Sequence, residues 1–149
     1  MKDDQFLEAL GKAGLLEEAA VTKLKREVLL SGRGAEEIIY ERRLIDDAKI
    51  AKFKSEFLSV PYQKIDFDGF DAKILELIPE ETVRTYGVAP ISRQNDLFVV
   101  GMLHPDDQKA QDALKFIARR NHLNLGVYLM TYGDWQDIFR HFLRCVAIG

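Results

Sequence analysis

The chain has 149 residues, of which 47% are hydrophobic, and its 21 lysines and arginines stand against 24 aspartates and glutamates for a net charge of -3. This length suffices for one compact domain or two small lobes, and the interspersed charge does not favour non-specific nucleic-acid binding. The single cysteine, Cys145, excludes an internal disulfide framework and fits a reducing compartment. The longest apolar run, 97–103, is far shorter than a membrane-spanning helix of roughly 20 residues. These features predict a cytoplasmic chain without a transmembrane segment.

Residues 1–60 predict a helical lobe built from a repeated helix–turn–helix. Apolar residues recur at helical spacing on both sides of Gly14, which predicts a helix, a turn and a second helix. Aligning Gly14 with Arg43, an offset of 29 residues, superimposes a second copy of the pattern and places Leu24 on Phe53. Two copies are too few for a solenoid. We therefore expect about four helices that share their apolar faces, with Leu24 and Phe53 at equivalent buried positions.

Residues 61–149 predict a small α+β lobe. Pro61 ends the helical repeat, and short helical segments follow. Strands are predicted over 88–92 and 97–103, with a polar turn between them that makes a hairpin. A helix opened by Asp107 and its neighbours comes next, and an alternating apolar strand and a closing helix follow it. The expected fold class is therefore α+β: the helical repeat first, then about three strands with flanking helices.

No motif in the chain carries recognisable catalytic or metal chemistry. The acidic run from Asp66 fails as a calcium loop, because Asp71 stands where glycine is required and Leu77 where glutamate is required. The three histidines lack metal-ligand spacing, and the paired glycines form no phosphate-binding loop. No serine lies in a nucleophile elbow. We predict no catalytic residue, no metal, no cofactor and no enzymatic activity.

Basic residues gather around the repeat and leave two interpretations open. They are Lys23, Lys25, Arg26, Arg33, Arg42 and Arg43. The first interpretation is a solvated helical surface in which neighbouring glutamates neutralise these cations. The second is an anion site, since arginine planes stack on bases and pair with phosphates.

The doubled helix–turn–helix, "FLSVPYQKID", "LELIPEETVRTYGVAPISRQNDLFVVGMLHPDD" and the closing strand and helix together resemble a known family. It is the N-terminal domain of type II secretion and type IV pilus assembly ATPases, also called the MshEN domain. The resemblance covers about residues 5–143 and implies that the two lobes form one such domain. It implies a non-catalytic docking or regulatory role at the inner face of the inner membrane. The implied partners are the cytoplasmic domain of a platform protein and any ATPase module downstream in the native chain.

The resemblance also implies an alternative function, because some family members bind cyclic di-GMP through the two repeats. In those members each repeat opens with Arg-Leu-Gly, continues through a Gly-Leu-Ile-like step and ends in Gln. Carried over to this chain, the candidate contacts are Gly14, Leu15, Leu16, Arg33, Leu44 and Ile45.

The polar groups of that nucleotide signature are missing here. Gln5 and Gly34 stand where the two arginines are expected, and Val28 and Phe57 replace the two glutamines. Arg33 lies one residue before its expected place, whereas Glu36 brings a carboxylate towards a phosphate position, which opposes binding. The retained apolar positions therefore predict packing between the copies, and cyclic di-GMP sensing is the alternative to docking.

Overall fold

In a computed structural model that describes residues 2–64 and 72–148, helices come first and a three-stranded sheet follows. The α-helices are α1 (Asp3–Lys12), α2 (Glu18–Ser31), α3 (Ala35–Arg42), α4 (Asp47–Leu58), α5 (Glu80–Tyr86), α6 (Gln108–Arg120) and α7 (Tyr132–Ile148). The strands are β1 (Val88–Gln94), β2 (Leu97–Met102) and β3 (Asn124–Leu129), and a 3-10 helix spans Ala72–Leu77. The predicted α+β class is confirmed. Residues 66–71, the first half of the rejected calcium loop, lie outside the described residues.

The chain divides into two compact units, Met1–Phe53 and Lys54–Gly149, and helix α4 contributes residues to both. In the first unit the apolar stripes of four helices meet in one core. Its buried members are Phe6, Leu7, Leu10, Val21, Leu24, Ala35, Ile38, Ile39, Ile45 and Ile50. Because apolar residues at three- and four-residue spacing share one side of a helix, each helix turns that side towards the core.

The backbone confirms the internal repeat and its offset. The amide of Leu15 donates to the carbonyl of Leu10 at 3.0 Å, and 29 residues later the amide of Leu44 donates to the carbonyl of Ile39 at 3.1 Å. A hydrogen bond that spans six residues in this way closes the C-terminal end of a helix when the residue directly before the donor is left-handed. The two helix–turn–helix copies therefore share the same hydrogen-bonded turn.

The residue that makes this turn is left-handed in both copies. Gly14 has φ of 79°, and Arg43 has φ of 52° at the equivalent position. Glycine adopts this conformation freely, whereas a side chain costs about 1 kcal/mol there. Arg43 is exposed. Because it is not a glycine, the second copy keeps the turn at this conformational cost.

The expected equivalence of Leu24 and Phe53 is wrong in burial. Leu24 is buried in the core of the first unit, whereas Phe53 is half-buried and meets the ring of Phe6 edge-on at 5.9 Å between centroids. The fully buried side chain at this point of α4 is the next residue, Lys54.

The second unit is a mixed sheet in the order β1-β2-β3. Strands β1 and β2 are antiparallel, and their last pair, Gln94 with Leu97, leaves a turn of two residues, shorter than predicted. Asn95 in that turn has φ of 56°, which asparagine tolerates better than most residues. A bulge between Pro90 and Ser92 interrupts the ladder. The hairpin is confirmed with a tighter turn.

Strand β3 lies parallel to β2, so the chain crosses over between them through α6. The carboxylate of Asp107 accepts from the amides of Lys109 and Ala110, which confirms the helix start predicted there. The principal core lies between the sheet and its helices. Its buried members are Ile78, Val83, Val88, Phe98, Val100, Met102, Ala110, Leu114, Ala118 and Leu123.

Lys54 is 1% exposed, and its ammonium lies where the two parallel strands end. Nζ donates to the carbonyl of Leu103 at 2.8 Å and to that of Met130 at 3.2 Å. Each of these carbonyls belongs to the residue directly after a strand. This role was not predicted from the sequence, although Lys54 stands four residues after buried Ile50 and so on the apolar side of α4.

Lys54→Met tests this buried contact. We expect the free energy of unfolding to fall by about 2–4 kcal/mol, because two buried carbonyls lose a charged donor that methionine cannot replace. Urea denaturation followed by circular dichroism measures the change. Lys52→Met is the matched control on an exposed turn of the same helix and is expected to stay within about 0.5 kcal/mol. Equal stabilities for the two variants would contradict the role given to Lys54.

Arg43→Gly tests the cost of the left-handed turn. We expect a gain of about 0.5–1 kcal/mol, because glycine removes the backbone strain and its greater freedom in the unfolded chain offsets only part of the gain. Thermal and urea unfolding measure it. Arg43→Ala removes the same side chain but keeps a Cβ, and it should change stability little. The reciprocal Gly14→Arg should cost about 1 kcal/mol. A loss of stability in Arg43→Gly would contradict this account.

Candidate functional site

The structure separates five of the six residues predicted as nucleotide contacts into two groups. Leu15 and Leu16 pack against the core of the first unit, and Ile45 belongs to that core. Gly14 and Leu44 lie on the surface, Leu44 with 46% of its area exposed. The three core residues are needed for packing, so they are only partly available to a ligand.

Arg33, the sixth of these residues, already binds two carboxylates of its own neighbourhood. Its Nε and Nη2 donate to Glu37 Oε1 at 3.2 and 3.0 Å, and Nη2 also pairs with Glu41. The hydrogen bonds to Glu41 and Glu37 raise the pKa of the Arg33 guanidinium above its usual range. A phosphate would have to displace these carboxylates before it could bind Arg33.

Two further basic residues of the repeat are paired in the same way. Lys25 Nζ lies 2.5 Å from Glu8 Oε1, and Arg42 forms an ion pair with Glu27. The hydrogen bond and charge of Lys25 lower the pKa of Glu8. For these cations the solvated, neutralised surface predicted from the sequence is confirmed.

Lys23, Arg26 and Arg43 differ from those cations. All three are exposed, and within residues 2–64 and 72–148 no carboxylate lies in ion-pair distance of any of them. Lys23 and Arg26 follow one another on α2 at a three-residue spacing, which places them on the same side of that helix. This part of α2 therefore carries positive charge that the described part of the chain does not neutralise.

Two large apolar residues are exposed on the same helix. Leu29 is 83% exposed and Leu30 is 76% exposed, the highest values among the large hydrophobic residues described. Single exposed leucines are common on protein surfaces, but an adjacent pair marks a surface that another molecule can cover. These two leucines were not predicted from the sequence as functional residues. The available signal was that both fall outside the α2 core positions at Val21, Leu24 and Val28.

A cavity of about 380 Å³ lies in the first unit between α1 and α2. Gly11 lines it and lets α1 and α2 approach closely, because a Cβ at that position would lie only 2.9 Å from Val21 Cγ2. Its charged lining includes both signs, and the Lys25–Glu8 pair crosses it. Since Lys25 lowers the pKa of Glu8, this carboxyl is not poised to act as a general acid. Among the described residues no cluster of three His, Cys, Asp or Glu could hold a metal ion.

The family model of the MshEN domain matches residues 58–146, which is more than half of the chain. The chain belongs to the MshEN domain family. The match covers the second unit almost entirely and begins after the helical repeat of the first. The resemblance to N-terminal domains of secretion and pilus ATPases is thereby confirmed.

Two solved structures share the fold of this MshEN domain. A structure of MshE with cdg, cyclic di-GMP, has a TM-score of 0.62 and 21% identity, and the alignment covers 91% of this chain and 96% of that one. A structure of the N-terminal domain of XpsE has a TM-score of 0.63 and 17% identity over 94% and 95% of the two chains. A comparison with curated proteins finds no match. Within the described ranges, no helix has the length and apolar content needed to cross a bilayer.

Proposed function

We propose that this MshEN domain is a non-catalytic docking and regulatory domain of a type II secretion or type IV pilus ATPase system. It binds the cytoplasmic domain of an inner-membrane platform protein and is recruited by it to the inner face of that membrane. The observation that carries the proposal is the exposed pair Leu29 and Leu30 on α2. Covering apolar surface of this kind is the main favourable contribution in most protein associations.

The chemistry of the charged groups supports binding rather than catalysis. Glu8 is held ionised by Lys25, and the donors of Arg33 are taken up by Glu37 and Glu41. A general acid or an oxyanion site needs a group that is neutral or unoccupied until the substrate arrives. These residues are stabilised as charged ion pairs, so the surface they form has a structural role. An ATPase module in the native chain would supply the catalytic part.

The purified chain and the cytoplasmic domain of the platform protein from the same system test the proposal. We expect saturable binding by isothermal titration calorimetry, with a dissociation constant in the micromolar range or tighter, as is usual for transient contacts. A soluble protein of similar net charge to the platform domain serves as the control for non-specific attraction. Absence of heat from a chain whose circular dichroism shows it to be folded would contradict the docking function.

A cyclic di-GMP sensor is the second candidate function. The solved structure of MshE with cdg, which aligns with 91% of this chain, favours it, as does the retention of Leu15, Leu16 and Ile45. The ion pairs of Arg33 with Glu37 and Glu41 oppose it, because these carboxylates compete with a phosphate for the same donors. We infer that the repeat is kept for packing and that the wild-type chain does not bind the nucleotide.

Titration with cyclic di-GMP separates the two candidates. We expect a flat calorimetric trace for the wild-type chain, whereas a sensor would give saturable heat in the micromolar range, about -8 kcal/mol of binding free energy. Glu37→Gln/Glu41→Gln removes both carboxylate charges beside Arg33 and shows whether those ion pairs are the obstacle. Saturable heat from the wild-type chain would overturn the inference and make sensing the leading function.

A further inference from the structure

We propose that the exposed side of α2 formed by Lys23, Arg26, Leu29 and Leu30, here called the α2 stripe, receives an acidic amphipathic helix of the docking partner. This inference rests on the proposed docking function and adds to it the place of contact and the chemistry of the partner. The partner helix covers the two leucines with its own apolar residues. Its carboxylates meet the two cations.

The geometry of α2 separates the stripe from the core. Lys23, Arg26 and Leu30 follow one another at three- and four-residue spacing and therefore share one side of the helix. Leu29 lies three residues after Arg26 and borders the same side. The core residues of α2 fall on the opposite side, so the stripe contributes nothing to folding the first unit. A partner can cover the stripe without disturbing the repeat.

The charge of the stripe indicates an acidic partner. Elsewhere in the repeat Lys25, Arg33 and Arg42 are neutralised by carboxylates of the chain itself, whereas the described residues place none beside Lys23 or Arg26. In a chain with a net charge of -3, these cations form a local exception. Complementary charge fixes the register of a contact and speeds encounter. A partner helix with apolar residues at helical spacing and carboxylates beside them would match both the leucines and the cations of the stripe.

Two other occupants fit the same residues less well. A second copy of this chain would bring two pairs of cations towards each other, and like charges in an interface oppose association. An anionic membrane would attract Lys23 and Arg26, but two cations give only weak electrostatic attachment. The exposed Glu17 and Glu18 at the start of α2 would be repelled by the same lipids. A protein helix fits the stripe best, because it can place carboxylates opposite Lys23 and Arg26 and nowhere else.

Two double variants of the full chain test the stripe against the cytoplasmic platform domain by calorimetry. Leu29→Ser/Leu30→Ser removes the apolar pair, and Lys23→Glu/Arg26→Glu reverses the charge. We expect each to weaken binding at least about tenfold, as substitution of central contact residues commonly does. All four side chains are exposed, so both variants should keep the wild-type circular dichroism and unfolding temperature. Raising the salt concentration should weaken wild-type binding more than that of the charge-reversed variant.

Matched controls come from exposed residues outside the stripe. Lys49→Glu/Lys52→Glu makes the same charge change on α4, and Phe116→Ser removes an apolar side chain that is 64% exposed on α6. Both controls should leave affinity within about threefold of wild type.

The outcomes distinguish this inference from the proposed function. Wild-type affinity in both stripe variants would overturn the α2 contact and leave docking intact, whereas no binding by the wild-type chain would overturn docking itself. Loss of binding in the leucine variant without loss in the charge-reversed variant would overturn the acidic character of the partner. Flotation with phosphatidylglycerol vesicles that requires the leucines would assign the stripe to a membrane. A dimer in sedimentation velocity that the leucine variant abolishes would assign it to a second copy.

Discussion

The buried ammonium of Lys54 is the interaction on which the sheet of the second unit depends. Parallel strands leave a sheet side by side, so β2 and β3 bring the carbonyls of Leu103 and Met130 to one buried place. A hairpin would pair such groups with each other, but a parallel crossover cannot. Lys54 donates to both carbonyls, and its charge is in turn solvated by them. The family match begins at residue 58, after this donor. The matched segment therefore relies on a side chain that precedes it.

The surface of the first unit shows how a helical scaffold is adapted for contact. Three of the six cations around the repeat, Lys25, Arg33 and Arg42, are paired within the chain, and this removes them from competition for outside ligands. Of the three cations that have no ion-pair partner among the described residues, Lys23 and Arg26 lie together on α2, and Arg43 follows α3. A surface with few free charges discriminates among partners better than a broadly basic one, because like charges and unpaired groups penalise the wrong partner. The ion pairing within the chain that disfavours phosphate binding at Arg33 therefore also makes partner recognition at the α2 stripe more selective.

Much of the fold could be predicted from the sequence, because it follows from periodicity and turn residues. The repeat offset, the hairpin and the helix start at Asp107 all depend on short-range patterns. Lys54 could not be assigned in this way, since its partners lie 49 and 76 residues away. The ion pairs of Arg33 could not be predicted from the sequence either, because the spacing to Glu37 and Glu41 allows a contact without requiring it. The exposure of Leu29 and Leu30 depends on which sides of α2 the other helices cover.

The left-handed Arg43 has a consequence for how duplicated segments lose their resemblance. Once the amide of Leu44 is held by the carbonyl of Ile39, the hydrogen bond maintains the turn and the glycine that marks it in the first copy becomes dispensable. The cost of about 1 kcal/mol is small beside the stability of a typical domain, about 5–15 kcal/mol. The two copies thus keep one shape with different letters at the residue that makes the turn. In this chain the duplication is visible in the backbone hydrogen bonds at a position where the two sequences differ.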